Sequence, residues 1–440
     1  MIESGSPEQP NAKRQNMKIH IQGGRLIDPA ANLDAEQDLF IAAGKVVGVG
    51  RAPADFNANK TIDARGLIVC PGLVDLSARL REPGYEYKAT LESEVAAATA
   101  GGVTSLVCPP DTDPVLDEPG LVEMLKFRAR TLNQTHVYPL GALTLGLKGE
   151  ILTEMGQLTE AGCVGFSQAE MPIRNTQVLL RAMQYAQTFG YTVWLRPEDP
   201  FLGGGVAASG AVASRLGLSG VSVIAETVRL HTIFELMRTT GARVHLCRLS
   251  SAAGLELVRQ ARKEGLRVSC DVNMHHVALT DVDIGFFNSQ MRFSPPLRSA
   301  RDRDAIIAAL ADGTIDALCS DHTPVDDDEK LLPFDEASPG ATGLELLLPL
   351  TLRWANEHKV PLVKALARIT SEPARVIGLG AGTLATGSAA DVCVFDPKQV
   401  WKVERSALKS QGKNSPWLGY EMEGRVRMTL VGGQIVHEAR

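Results

Sequence analysis

Short apolar segments alternate with helical segments through about 250 residues, and this alternation constrains the fold more than any other feature of the chain. The first repeat has an apolar run ending at Asp75, a Glu/Ala-rich helix at 91–100 stopped by Gly101-Gly102, and a strand at 103–108. Eight strands are predicted in all, at 68–75, 104–108, 137–140, 164–167, 192–195, 243–247, 267–272 and 317–320. The pattern predicts an α/β fold, a (β/α)8 TIM barrel with functional residues at the carboxyl ends of its strands.

The two ends of the chain have a different character. Residues 17–68 and 380–440 contain short β-like runs separated by glycine-rich turns, and we expect them to pair into one small β-sandwich beside a barrel at 69–379. Residues 1–16 are polar, contain proline and have no periodicity, which is typical of a disordered leader or an expression remnant.

Charge and cysteine usage exclude several classes of protein. The formal net charge of −6 and the pI of about 5.9 give no reason to expect nucleic acid or an anionic membrane as a partner. No apolar stretch approaches the roughly 20 residues of a membrane-spanning helix. The seven cysteines form no C-x-x-C pair, which indicates buried free thiols in a reducing cytoplasm.

Several sequence motifs stand in one register with the predicted strands. In chain order they are PGLVDL (71–76), LREPG (80–84), PPLR (295–298), SDHTP (320–324), ADVCVFDP (390–397) and NSPW (414–417). On these motifs the chain from residue 17 onward resembles the dihydroorotases of the amidohydrolase superfamily, which implies the barrel fold and a site at its mouth.

The resemblance also implies a metal site whose ligands are missing here. Such enzymes carry His-x-His after strand one, an acidic or modified-lysine ligand after strand four, single histidines after strands five and six, and an aspartate after strand eight. The residues at these positions are, in the same order, Ser77, Arg79, Gln168, Ala169, Arg196, Arg248 and Asp321. Arginine stays protonated and has no lone pair to donate, so we expect no metal and no other cofactor.

Without the metal, the resemblance predicts no catalysis. Zinc lowers the pKa of its bound water from about 15.7 to about 7. No Ser-His-Asp, Cys-His or lysine arrangement is visible in the sequence that could replace this activation. We therefore expect no catalytic residues, and a pseudo-enzyme of the dihydroorotase family rather than an enzyme.

The arginines leave two interpretations open. Arg81 matches the family's carboxylate-binding arginine, and with it Arg79, Arg196 and Arg248 could form an anion-binding pocket. The favoured interpretation is that these three pair with carboxylates, because a buried Asp321 needs a cationic partner. The candidate partners are Asp321, Glu170, Glu198 and Asp271. Three substrate-recognition positions also depart from the family pattern, namely Asp111, Ser294 and Val325.

The resemblance is strongest to non-catalytic dihydroorotase homologues that accompany aspartate transcarbamoylase. It implies a structural subunit of an aspartate transcarbamoylase complex in de novo pyrimidine biosynthesis, with this chain as a homodimer inside a hetero-oligomer. Two alternatives remain. One is an active dihydroorotase- or hydantoinase-like cyclic amidohydrolase with an unusual metal site, and the other is a regulatory sensor whose arginine-rich mouth binds an anion.

Overall fold

The computed structural model describes residues 17–439, and the leader predicted at 1–16 lies outside the described residues. The described part of the chain begins with five strands. They are β1 (Ile19–Asp28), β2 (Leu33–Ala42), β3 (Lys45–Val49), β4 (Lys60–Asp63) and β5 (Ile68–Pro71).

A parallel barrel follows and occupies the middle of the chain. Its strands are β6 (Leu73–Asp75), β7 (Val103–Cys108), β8 (His136–Pro139), β9 (Gly141–Ala142), β10 (Phe166–Ser167), β11 (Thr192–Leu195), β14 (Arg243–Leu246), β15 (Val268–Asn273) and β16 (Ala317–Cys319). β8 pairs with β7 and β9 pairs with β10, so these two segments act as one barrel strand and the total is eight. A bridge between Ala78 and His322 joins the first and last strands, which closes the predicted barrel.

The predicted first strand divides into two at Gly72. Its first half, β5, belongs to the terminal sheet and its second half, β6, belongs to the barrel. A Cβ atom at Gly72 would lie 2.1 Å from the Oγ1 atom of Thr104, so only glycine lets the chain pass from one sheet to the other here.

Helices connect the barrel strands and cover the outside of the barrel. They are α1 (Leu91–Ala100), α2 (Pro119–Leu132), α3 (Met155–Ala161), α4 (Thr176–Phe189), α5 (Ala211–Leu216), α6 (Val223–Thr240), α7 (Ala252–Lys263), α8 (His275–Ala278), α9 (Ala300–Asp312), α10 (Asp327–Leu331), α11 (Leu347–Glu357), α12 (Leu362–Ala367) and α13 (Ser371–Val376). Local signals set many boundaries: α6 begins after Ser222, whose hydroxyl caps it, and ends at Gly241 with φ +70°. His275 and His276 lie in the short helix α8.

Two further strands, β12 (Ala207–Ala208) and β13 (Gly220–Val221), form a small parallel pair in the long connection after β11. The last three strands, β17 (Val392–Lys402), β18 (Glu421–Val431) and β19 (Gln434–Glu438), return to the N-terminal strands. One sheet results, in the order β19-β18-β17-β5-β1-β2-β3 with β4 beside β1. Apolar side chains from both ends of the chain share its core, which confirms the predicted β module.

Among residues 17–439, every helix is too short or too polar to cross a lipid bilayer.

Candidate functional site

The loops that follow barrel strands β6, β10, β11, β14 and β16 converge at the carboxyl end of the barrel, and we call this region the mouth. A cavity of about 270 Å³ opens there. It is close to the lower limit, about 300 Å³, of ordinary small-molecule sites. Side chains that line it include Arg79, Arg81, Asp111, Glu170, Arg196, Arg248 and Asp321.

Backbone conformation marks the same positions. Arg81, Ala169, Arg248 and Asp321 all have positive φ, between +46° and +62°. Residues other than glycine rarely adopt this conformation, and where they do they cluster at functional sites. The barrel therefore holds these strand ends in costly conformations that aim their side chains.

Asp321 is the buried carboxylate at the centre of the mouth, with 3% of its surface exposed. Its Oδ1 accepts hydrogen bonds from the guanidiniums of Arg248 at 3.2 Å and Arg79 at 3.4 Å, and from the Ser77 hydroxyl at 3.3 Å. Its Oδ2 accepts from the amide of Asn273 at 2.9 Å. Both oxygens of the carboxylate thus accept hydrogen bonds from protein donors, three at Oδ1 and one at Oδ2.

Glu170 binds three arginines at once. Its Oε1 lies 2.6 Å from Arg79 and 2.5 Å from Arg248, and its Oε2 lies 2.5 Å from Arg196. Arg196 also pairs with Glu198, and Arg79 pairs with Asp111 at 2.8 Å. The ion pairs expected with Asp321, Glu170 and Glu198 are therefore present, and Asp111 is an additional partner.

The pKa values of Glu170 and Asp321 are shifted in opposite directions by these surroundings. Burial tends to raise the pKa of Glu170, but Arg248, Arg196 and Arg79 outweigh it and hold that pKa well below the ordinary value. For Asp321 burial wins over the attraction of Arg248 and Arg79, and the pKa is raised. Asp321 therefore accepts a proton more readily than Glu170 does.

Arg81 differs from the other mouth arginines. Its Nε donates to the carbonyl oxygen of Pro324 at 2.8 Å, and within residues 17–439 its guanidinium makes no ion pair. Burial and the charge of Arg79 lower its pKa. Lys88 also lines the cavity, but it is paired with Glu329 at 2.7 Å. Arg81 is thus the mouth cation best placed to receive an anionic ligand.

The strand-four positions do not join this cluster. The Gln168 side chain accepts from Thr144 at 3.0 Å and donates to the carbonyl oxygen of Leu147 at 2.7 Å, so it is held in the neighbouring loop. Ala169 packs against Ala142 and Leu147. Glu170, one residue further along, occupies the mouth instead.

The residues present do not fit a zinc ion at the mouth. Zinc needs imidazole nitrogens, thiolates or carboxylate oxygens. Of the seven family positions, only Asp321 offers such an atom, and its oxygens already accept four hydrogen bonds. Three guanidiniums beside it repel a cation and donate no lone pair.

Another buried polar cluster lies in the strands beneath the mouth and was missed by sequence reasoning. The ligand atoms of His245, Cys247 and Asp271 lie within 4.8 Å of one another, a spacing open to metal binding. Their polar atoms are already partnered: His245 Nε2 lies 2.9 Å from Asp271, and His245 Nδ1 lies 2.8 Å from the Ser269 hydroxyl. Asp271 also accepts from the backbone N–H of Arg248 at 2.6 Å.

This cluster therefore acts as a support for the mouth. Burial raises the pKa of the Cys247 thiol well above its ordinary value, so the thiol stays protonated. Asp271 pairs with His245 and not with a guanidinium, contrary to the sequence expectation. The alternation of strand side chains puts residues 245, 247, 269 and 271 on inward faces, a signal that could have found the cluster.

The fold is similar to solved structures of cyclic amidohydrolases. An L-hydantoinase (dihydropyrimidinase) from Arthrobacter aurescens superposes with a TM-score of 0.85 at 25% identity, covering 96% of each chain. A D-hydantoinase superposes with a TM-score of 0.80 at 22% identity, over 96% of this chain and 95% of that one, which shows the fold alone.

Relatives in sequence extend over almost the whole chain. A "dihydroorotase-like protein" of Pseudomonas aeruginosa is 46% identical over 96% of this chain and 100% of its own length. A protein of a Geobacter species named dihydroorotase is 41% identical over the same shares. The expectation that this chain is not an enzyme is wrong by this comparison, because relatives at 40–41% identity are named as the enzyme.

Family models match both halves of the chain. The dihydro-orotase-like model matches residues 66–253, and the amidohydrolase family model matches residues 225–437. A relative 46% identical over 96% of the chain agrees with these matches. The chain belongs to the dihydroorotase-like family of amidohydrolases.

Proposed function

We propose that this chain is a cyclic amidohydrolase of the dihydroorotase type, whose mouth binds a small cyclic amide carrying a carboxylate and uses arginines in place of a metal ion. The names of the relatives support the reaction class. The chemistry of the mouth supports the ligand class, because its cavity is small and is lined by four arginines.

One observation carries the proposal. Arg79, Arg196 and Arg248 surround Glu170 and Asp321 where the family resemblance expects metal ligands. Their guanidiniums supply fixed positive charge at the same end of the barrel. Beside them Arg81 has no carboxylate partner, and it would bind the carboxylate of the ligand through a charge-assisted hydrogen bond.

The reaction follows from the charges that the mouth provides. Ring opening of a cyclic amide adds water to the carbonyl carbon, breaks the ring C–N bond and moves a proton to the departing nitrogen. The guanidiniums of Arg79 and Arg248 would stabilise the oxyanion that forms on the carbonyl. Asp321, with its raised pKa, would accept the proton of the attacking water and pass it to the nitrogen.

A ring-opening assay with chelator-treated protein tests this proposal. Dihydroorotate and an unsubstituted hydantoin serve as substrates, and loss of the cyclic amide is followed by ultraviolet absorbance. We expect dihydroorotate to be opened at the same rate before and after metal removal, and the hydantoin, which lacks a carboxylate, to be opened more slowly. Turnover that appears only after zinc is added would refute the arginine mechanism.

Matched variants separate binding from chemistry. Arg81→Ala should raise KM for dihydroorotate at least tenfold, because a charge-assisted contact to a carboxylate is lost. Lys88→Gln changes a cavity cation that already has a partner and should change KM little. Tight binding of dihydroorotate without any ring opening would instead favour a regulatory sensor.

We also propose that the chain associates with aspartate transcarbamoylase, as a homodimer within the complex. The sequence resemblance is the main support for this partner. Exposed apolar side chains in the segments that follow the barrel strands provide candidate contact surface, notably Phe201, Phe286 and Leu331, which are 76%, 92% and 82% exposed.

Size-exclusion chromatography of the two co-expressed chains tests the association. We expect one peak that contains both chains, and a shift to separate peaks when the exposed Phe286 is changed to Ser. Separate elution of the unmodified chains at micromolar concentration would contradict the partner.

A further inference from the structure

A second cavity lies where the barrel meets the terminal sheet, and it shares no lining residue with the mouth. Its volume is about 420 Å³, within the range of small-molecule sites. The barrel contributes Ala100 at the end of α1 and Pro349 of α11. Strands β17, β18 and β19 contribute most of the opposite wall.

Three side chains that can donate hydrogen bonds through nitrogen line this cavity from separate segments. Arg425 comes from β18, His437 from β19, and Lys409 from the loop that leads into β18. Burial lowers the pKa of His437, and the charges of Lys409 and Arg425 lower it further. The imidazole is therefore mostly neutral at neutral pH, and the positive charge of the cavity comes from Lys409 and Arg425.

Nothing within residues 17–439 neutralises these cations. The side chains of Lys409, Arg425 and His437 form no ion pair and donate no hydrogen bond to another side chain in that range. Within the same range, the Trp401 ring lies 5.1 Å from the Arg425 guanidinium.

The two acidic residues of the cavity are engaged elsewhere. Glu345 accepts hydrogen bonds from the backbone N–H groups of Lys409 and Ser410, at 2.8 and 3.2 Å. Burial raises the pKa of Glu345 to about 7, so part of its negative charge is lost at neutral pH. Glu438 lies 3.6 Å from Lys60 on another strand. The cavity is thus left with excess positive charge.

We propose that this junction cavity binds a phosphate-bearing anion of nucleotide size. The phosphate would be held by Lys409, Arg425 and His437, whose three donors suit a group with three terminal oxygens. The base ring of the nucleotide would lie in the remaining volume beside the indole of Trp401. This indole is half-buried, and its Nε1 donates to the carbonyl oxygen of Gly424 at 3.1 Å. Binding would neutralise the charges of Lys409 and Arg425.

Isothermal titration of the full chain tests the site, with inorganic phosphate, uridine monophosphate and uridine as probes. We expect both phosphates to bind in the micromolar to millimolar range, the nucleotide more tightly, and uridine not to bind. Lys409→Gln should weaken nucleotide binding about tenfold, since one charge-assisted contact is lost. Lys409 is exposed and its side chain has no recorded partner, so this variant should fold normally.

Two controls make the test specific to this cavity. Lys402→Gln removes a cation of neighbouring β17 that faces Glu404 at 3.5 Å and does not line the cavity, and it should leave binding unchanged. Arg81→Ala at the mouth should also leave it unchanged. The proposal is overturned if unmodified protein binds neither phosphate at 10 mM, because a Kd above 10 mM is at least about 2.7 kcal/mol weaker than a Kd of 0.1 mM. It is also overturned if Lys409→Gln binds the nucleotide as well as unmodified protein does.

Discussion

Single residues at the mouth set its character, because the ion pairs of Asp321 with Arg79 and Arg248 are buried. Arg79, Arg248 and Asp321 are 7%, 6% and 3% exposed, so none of their charges can be satisfied by water. Removing one partner from such a group leaves the others uncompensated, which costs more than the pair itself contributes. Stability should therefore depend on each charged partner of the network.

Asp321→Asn tests this dependence. The change leaves Arg79 and Arg248 with one negative partner fewer, and we expect a loss of about 3–5 kcal/mol in the free energy of unfolding. Urea denaturation followed by circular dichroism measures it. Ser77→Ala removes a neutral donor to the same carboxylate and should cost about 1 kcal/mol. Equal stability of Asp321→Asn and unmodified protein would mean that the carboxylate is solvated.

Two buried histidines give the chain a specific response to acid. Burial lowers the pKa of His275 to about 3 and that of His276 to about 4, against about 6.5 in an unfolded chain. A lowered pKa contributes stability that is complete above pH 6.5 and is lost as the pH falls toward 4 and then 3. We expect the free energy of unfolding to fall steadily between pH 6.5 and pH 4.

His276→Gln should flatten this pH dependence, since the glutamine amide can still donate to the carbonyl oxygen of Pro295 and carries no titrating group. His358→Gln, at an exposed position, is the matched control and should leave the slope as it is. A slope that is identical in all three proteins would show that His276 is already charged or solvated when folded.

Secondary-structure elements were largely predictable from the sequence, and their exact junctions were not. The strand at 192–195 and the helix at 91–100 follow directly from apolar runs and glycine stops. The division at Gly72 could not be predicted, because a continuous apolar run does not say which of two sheets each half joins. Helix α8 was missed because four residues are too few to show a helical period.

Gly72→Ala tests the junction between the two sheets. The new methyl group would meet the buried Thr104 side chain of β7, and we expect a loss of about 1–3 kcal/mol from overpacking. Gly120→Ala, in α2 with no atom within 4 Å of a new Cβ, is the control and should be neutral or slightly stabilising. Thermal melts of both variants measure this loss of stability. Equal melting temperatures of the two variants would show that the chain bends freely at Gly72.

On the scale of the whole molecule, the barrel and the β module built from both ends were predicted, but the arrangement of the mouth was only partly so. The family positions gave Arg79, Arg196, Arg248 and Asp321 as neighbours. They placed Gln168 and Ala169 at the mouth as well, whereas Glu170 holds the arginines together. Which of three consecutive side chains points inward depends on the positive φ at Ala169, and local sequence does not reveal this value.

The proposed function of the whole molecule requires that the mouth binds an anionic ligand without a metal ion. Calorimetric titration of chelator-treated protein with dihydroorotate tests it most directly, alongside the same titration of Arg81→Ala. We predict one ligand per chain, the same Kd with and without added zinc, and a Kd at least tenfold weaker for Arg81→Ala. Binding that requires zinc, or equal affinity of Arg81→Ala and unmodified protein, would contradict the account.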